Sequence, residues 1–334
     1  VPDPSVVSGS SVATEETSEG YAGAIQEISR QELLDALGEA IDKAAPGLKD
    51  AFLSAIADAI DGVDLRQLKR ALASGDLDEA LDAIPFDDLQ SAIAGIAASG
   101  EKPGPLAAPY NAGVDLALGT LPAHVAVELD HSLIRSEAAD WLTEHGADLA
   151  QALTGETKAG IRELLSSAME RGGQDVYDVG RDISRVLDAQ TMAGFIGLNE
   201  RQAVALDNYI DALAQTDRAD MSDAAMQDAI DQRYQEMLDY RGEMIARTEA
   251  SRAGNAGQND VWNDAVDQGK LDGEAYEVEW VASPTACSAI CADLDGLTRA
   301  IDGEYEDEDA GEGPPAHPSC NCSERLVAAE EEAA

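Results

Sequence analysis

Residues 222–258 read SDAAMQDAIDQRYQEMLDYRGEMIARTEASRAGNAGQ. Ser222 is a good helix opener, because its hydroxyl can accept from a backbone amide of the first turn. Met226, Ile230, Met237, Met244 and Ile245 then recur at helical spacing. The glycines at 254 and 257 predict the stop. One long amphipathic helix must bury its stripe against something of similar length.

Upstream segments supply the partners. Asn199 opens a helix carrying Ala203, Leu206, Ile210 and Leu213. Asp175 opens another with Val176, Val179, Ile183, Val186 and Leu187. Thr157 is placed to cap a third, with Ile161, Leu164, Leu165, Ala168 and Met169 before Gly172 and Gly173. Nearer the start, Ser29 and Glu32 form a capping-box pattern ahead of Leu34, Leu37 and Ile41. Shorter apolar runs follow at Phe52, Ile56 and Ile60, and at Leu65, Leu68 and Leu72. The fold class expected is mainly α, a multi-helix bundle.

The texture changes after residue 258. AYEVEWVAS (275–283) alternates and reads as a strand. All four cysteines lie beyond it. The bundle therefore ends in a small α+β unit, 259–328. The other expected divisions are a Ser-, Thr- and Glu-rich tail without period (1–22), an N-terminal helical region (23–97), a Pro- and Gly-rich linker or crossing loop (98–113), a helical core (114–258) and an acidic end (329–334). The acidic run Asp302 to Glu312 reads as a solvated loop.

Charge narrows the setting. There are 66 acidic against 22 basic residues, a net charge of −44, and only six of the bases are lysine. Self-repulsion of this size opposes a compact state. Concentrated salt relieves it, since the Debye length at 1 M is ~3 Å. An acidic, lysine-poor chain with an ordinary apolar fraction of 44% resembles proteins of extreme halophiles. Direct nucleic-acid binding fits poorly, because it relies on Lys and Arg neutralising phosphates and weakens in salt. No apolar run is long enough to span a membrane.

The cysteines form a pattern: Cys287-x3-Cys291, then His317-x2-Cys320-x-Cys322, in the stretch PPAHPSCNC (314–322). Five thiol or imidazole donors in two short clusters suit Zn²⁺, which takes four in tetrahedral array. A small unit has a weak core, and a structural metal compensates. The favoured four are Cys287, Cys291, His317 and Cys320, with Cys322 as the alternate. Two disulfides, or plain buried thiols, are the competing readings. A catalytic metal is disfavoured. There is no HExxH and no HxE…PCxxC pattern. A hydrolase would need an open metal position and a base such as Glu274, Glu277 or Asp293. His124, His131 and His145 read as surface or interface histidines.

HPSCNC (317–322) resembles the HPxCRC motif of the Mu F-like minor head proteins, the phage head-morphogenesis family. MIARTEASRAGNAGQ (244–258) is similar to that family's IARTE helix. CADLDG (291–296) looks like its Cys- or His-led Leu-Asp-Gly segment. LLSSAMERGGQDVYDVGRDI (164–183) is similar to its helix–glycine–helix pair, and ALASGDLDEALDAI (71–84) to its N-terminal part. The likeness runs over residues 65–327. Asn321 stands where the family's pattern has Arg.

The resemblance implies a structural minor capsid protein of a halophilic archaeal tailed virus or provirus, not an enzyme. It would act at or near the portal vertex in head assembly or DNA packaging. The implied partners are the portal and the major capsid protein and, indirectly, the packaged DNA, with no membrane and no small-molecule substrate. The implied location is the virion, after assembly in a high-salt host cytoplasm. In that setting the tail beginning at Val1 reads either as what a head-maturation protease leaves or as the start of a trimmed sequence. The alternative is a metal-dependent hydrolase or toxin-like effector delivered with the particle. Arg247, Thr248 and Glu249, on successive helix positions, point in three directions. Arg247 and Glu249 are expected to pair with other elements and Thr248 to face the bundle. Arg247 docking the C-terminal unit or the portal is the sharper alternative.

Overall fold

The computed structural model describes residues 25–26, 28–97, 104–129, 131–173, 188–215, 222–285, 289–307, 310–311 and 313–329. The expected tail 1–22 and helix 175–187 lie outside them. Along the chain come α1 (Arg30–Asp61), α2 (Leu65–Ser74), α3 (Leu77–Asp82), α4 (Phe86–Ala97), α5 (Ala107–Thr120), α6 (Ala123–Glu128), α7 (His131–Gly173), α8 (Ala189–Ala193), α9 (Glu200–Gln215) and α10 (Asp223–Asp267). Then follow β1 (Tyr276–Val281), α11 (Cys291–Leu294), β2 (Thr298–Ala300) and β3 (Ser323–Ala328). The chain is mainly α, as its periodicity implies, with one small antiparallel sheet in the order β2-β1-β3.

The caps read from sequence hold at three helices. Ser29 and Glu32 form a full capping box on α1. Ser222 accepts from the Ala225 amide at the head of α10. Asn199 accepts from the Gln202 amide at 3.0 Å ahead of α9. Thr157 is different. It lies inside α7, fully buried, and its hydroxyl accepts from Arg241 at 3.2 Å. Arg241 also reaches Glu156 at 2.8 Å and the Gly197 carbonyl, and it sits 5.6 Å from the Phe52 ring. One buried guanidinium thus pins α10 to α7, to the turn before α9 and to α1. Burial pushes its pKa down and the Glu156 carboxylate opposes that.

The predicted stop at Gly254 or Gly257 is corrected, because α10 runs on to Asp267. Those glycines serve a close crossing instead. A Cβ on Gly257 would strike the Tyr110 carbonyl, and one on Gly113 the Gly254 carbonyl. Helix α5 can therefore lie against α10 backbone to backbone. Residues 107–113, read as linker, are the first half of α5, and Tyr110 within them is fully buried. Pro and Gly are tolerated there because Pro109 sits in the first turn and Gly113 is needed at the crossing.

The boundary at 258 also falls inside α10. A second core joins Ala117 and Leu121 of α5 and its C-terminal end, Val125 of α6, Val261, Trp262 and Ala265 of α10, and Val278, Ile301 and Leu326 around the sheet. The C-terminal unit is thus packed on the last turns of α10. Arg30, at the head of α1, adds an ion pair to Glu279 of β1 and another to Asp295.

Candidate metal centre

The sheet sets the frame. Val281, the end of β1, pairs with Ser323, the start of β3. That pairing holds Cys322 beside the chain leaving β1, where the Ser283 amide donates to its sulfur at 3.5 Å. Trp280, buried on β1, packs edge-on against Tyr305 at 5.5 Å between ring centres. Trp280, Tyr305, Leu294 and Ala310 wall the cluster that contains Cys291, Cys320 and Cys322.

His317 to Cys320 make one tight turn. Pro318 holds its second position, Ser319 its third with φ +56°, and the Cys320 amide donates to the His317 carbonyl at 3.1 Å. Proline followed by positive φ marks a type II turn. Its ends are close by construction, so two donors three residues apart meet. Cys291, opening α11, completes the group. His317 Nε2 lies 2.9 Å and Cys320 Sγ 3.6 Å from the Cys291 sulfur. The three donor atoms fall within 4.8 Å of one another and could hold a metal ion.

The donor set fits a metal. Two thiolates on one tetrahedral zinc stand about 3.8 Å apart, given Zn–S of ~2.3 Å. A disulfide needs ~2.05 Å. The observed 3.6 Å is near the first and far from the second, and Cys291, Cys320 and Cys322 form no disulfide. His317 Nδ1 donates to the Pro318 carbonyl at 3.0 Å, which leaves Nε2 as the lone-pair nitrogen aimed at the sulfurs. The Cys320 thiol is held down, to about 5, chiefly by the hydrogen bond from the Cys322 thiol. Cys322 is pushed up by the same contact and by burial. Cys320 is therefore the readier thiolate and Cys322 its donor.

Of the five expected ligands, three come together. Cys322 is adjacent, hydrogen-bonded to Cys320, and stands outside the group. Cys287 lies outside the described residues. Among the described residues no carboxylate joins the group. Glu274 and Asp293 are exposed and Glu277 is half-buried on β1.

The Arg-Thr-Glu triplet divides as three directions require. Arg247 pairs with Asp42 of α1 at 2.9 Å and Glu243 at 3.8 Å. Glu249 is buried between His145 of α7 at 2.6 Å and Arg252 at 2.7 Å. Thr248, expected to face the bundle, is instead the one of the three that meets the C-terminal unit, accepting from the Ser319 amide at 2.9 Å. His145 is an interface histidine, stacked on Trp141 at 4.5 Å. His124 lies on α6, and His131 opens α7.

Sequence reading missed Ser319, Thr248 as its partner, and a buried pair, Arg299 with Glu324. Pro318 before Ser319 was the available sign of a turn. A Thr in the middle of an Ala-rich helix was the available sign of a contact. Arg299 carried none.

Compared with protein-family models, curated proteins and solved structures, the chain matches none.

Proposed function

We propose that the chain is a structural minor head protein of a halophilic tailed virus, acting at or near the portal in head assembly or DNA packaging. The supporting observation is that the two stretches carrying the family resemblance, 244–258 and 317–322, lie against each other. Thr248 takes the Ser319 amide, and Asn255 Nδ2 donates to the Cys322 carbonyl at 3.4 Å. Immediately beyond, Gln258 accepts from Ser323 Oγ at 3.0 Å. Separate motifs that co-occur for a structural reason should be in contact, and these are. The metal in this reading is zinc, held by Cys291, His317, Cys320 and Cys287, in a structural role. Thiolate-rich ligation by a closed set is the pattern of structural zinc.

Two measurements test the reading. Peptide mass spectrometry of heads from the source virus should find the chain at a few copies per particle. Absence from both finished heads and assembly intermediates rejects the assembly role. Elemental analysis of protein purified in high salt should find about one zinc per chain, the single-site stoichiometry. No metal, with thiols oxidised in pairs, replaces zinc by disulfides.

A further inference from the structure

We infer that Thr248, on the helical body, is the positioning residue of the metal centre. Its hydroxyl holds the Ser319 amide and so sets the separation of His317 and Cys320. The inference rests on the metal reading above and adds a residue that is not itself a ligand.

The turn explains the need. Its third position demands positive φ, and Ser319 is the only non-glycine residue with positive φ among the described residues. A residue with a Cβ is strained there. Glycine would avoid that cost, so something must hold serine in place. Both donors of Ser319 reach α10: its amide goes to Thr248 Oγ1 at 2.9 Å and its hydroxyl to Met244 Sδ at 3.1 Å.

Thr248 is built to receive that amide. Its own hydroxyl proton goes to the Met244 carbonyl at 2.7 Å. With the proton committed one turn back, a lone pair faces Ser319 as acceptor. Threonine bonded this way slightly weakens a helix, so its place in mid-α10 has another cause.

The contact belongs to a stripe. Met244, Thr248, Asn255 and Gln258 follow one face of α10, and they meet Ser319, Cys322, Ser323 and Glu324 in the same order. Segment 319–324 thus runs along α10 in the same direction. Asn255 and Gln258 anchor the part that becomes β3. Thr248 anchors the backbone of the ligand turn, and Met244 takes the side chain of the same residue. Groups that orient metal ligands typically change metal affinity by 10–100-fold when removed.

The test uses the full chain, in high salt, stripped with a chelator and titrated with cobalt(II) alone. T248V keeps the shape and removes the acceptor. Its cobalt affinity should fall about 10–100-fold with altered thiolate-to-cobalt absorption bands, while helical circular dichroism stays unchanged. T248S restores the hydroxyl and should recover both affinity and bands. Wild-type affinity and spectrum in T248V overturn the inference. A wild-type chain that takes up no cobalt overturns the metal reading itself, and the inference with it. Should T248V not fold, hydrogen exchange of the Ser319 amide in the cobalt-loaded wild type decides. Protection is expected, and exchange at the rate of an exposed loop overturns the inference.

Discussion

Arg299 and Glu324 form an ion pair shut off from solvent, 3.0 Å apart, with side chains 4% and 0% exposed. Removing two charges from water costs several kcal/mol each unless every hydrogen-bonding position is filled. Here the filling is thorough. Arg299 gives Glu324 two bonds, Asn259 one at 2.7 Å, and the Ala300, Ile301 and Gly303 carbonyls one each. Glu324 also accepts from Tyr305 at 2.9 Å and Asn259 at 2.7 Å. The pair ties β2, β3, α10 and the start of the acidic loop at one point.

R299M therefore leaves a buried carboxylate without its counter-charge and takes the side-chain donor from the Ile301 and Gly303 carbonyls, while the Ala300 carbonyl keeps the Gly303 amide. Its expected cost is about 3–5 kcal/mol, read by denaturant unfolding in high salt. E324Q keeps the shape and should cost less. The double variant R299M/E324L should not recover wild-type stability, because the loop carbonyls stay unpaired. Full recovery would show that the pair matters only for its own charges.

The glycines give a contrast inside helices. Gly155 on α7 has open space where a Cβ would go, and Gly257 on α10 has the Tyr110 carbonyl. G155A should stabilise by up to about 1 kcal/mol through helix propensity. G257A gains the same propensity and must push α5 away, with a net loss of about 1–3 kcal/mol or more. Thermal unfolding of the two variants side by side checks the sign.

That contrast shows what was legible. Ser29, Asn199 and Ser222 announce helix starts because capping is local chemistry, settled within four residues. Ala203, Leu206 and Ile210 announce a buried face for the same reason. A glycine in a helix has two uses, ending it or admitting a neighbour, and the choice depends on α5, some 140 residues away. Thr157 was misread likewise, since its partner Arg241 is remote in sequence. The metal group was half legible. Spacing brought out Cys291, His317 and Cys320 but brought out Cys322 with them, and only the folded geometry separates it from the group.

Asp260 should make stability depend on pH. Burial raises its pKa, with Asp264 adding to the rise and the Tyr110 hydroxyl opposing it. A carboxyl raised in the folded state costs nothing while protonated and costs most once ionised. Its penalty is absent below the unfolded value near 4, grows as pH climbs from there toward the raised value, and is constant above it. D260N keeps an acceptor for Tyr110 and removes the ionisation. It should be more stable than wild type at pH 7, with the difference vanishing toward pH 4. An equal difference at both pH values would assign the effect to packing.

Metal removal should loosen the C-terminal unit without unfolding it. The cysteine cluster and the sheet rest on different supports. Cys291, His317 and Cys320 sit on a turn and a four-residue helix, outside the ladder of the sheet. The sheet is fastened by the Arg299–Glu324 pair and by Val278, Ile301 and Leu326 packing on Trp262. Chelation, or C291S with C320S, should therefore raise hydrogen exchange across 289–294 and 317–322. The amides of β1 and β3 should stay protected, and helical circular dichroism should hold. Collapse of all three together would mean that the metal, and not the buried ion pair, carries the sheet.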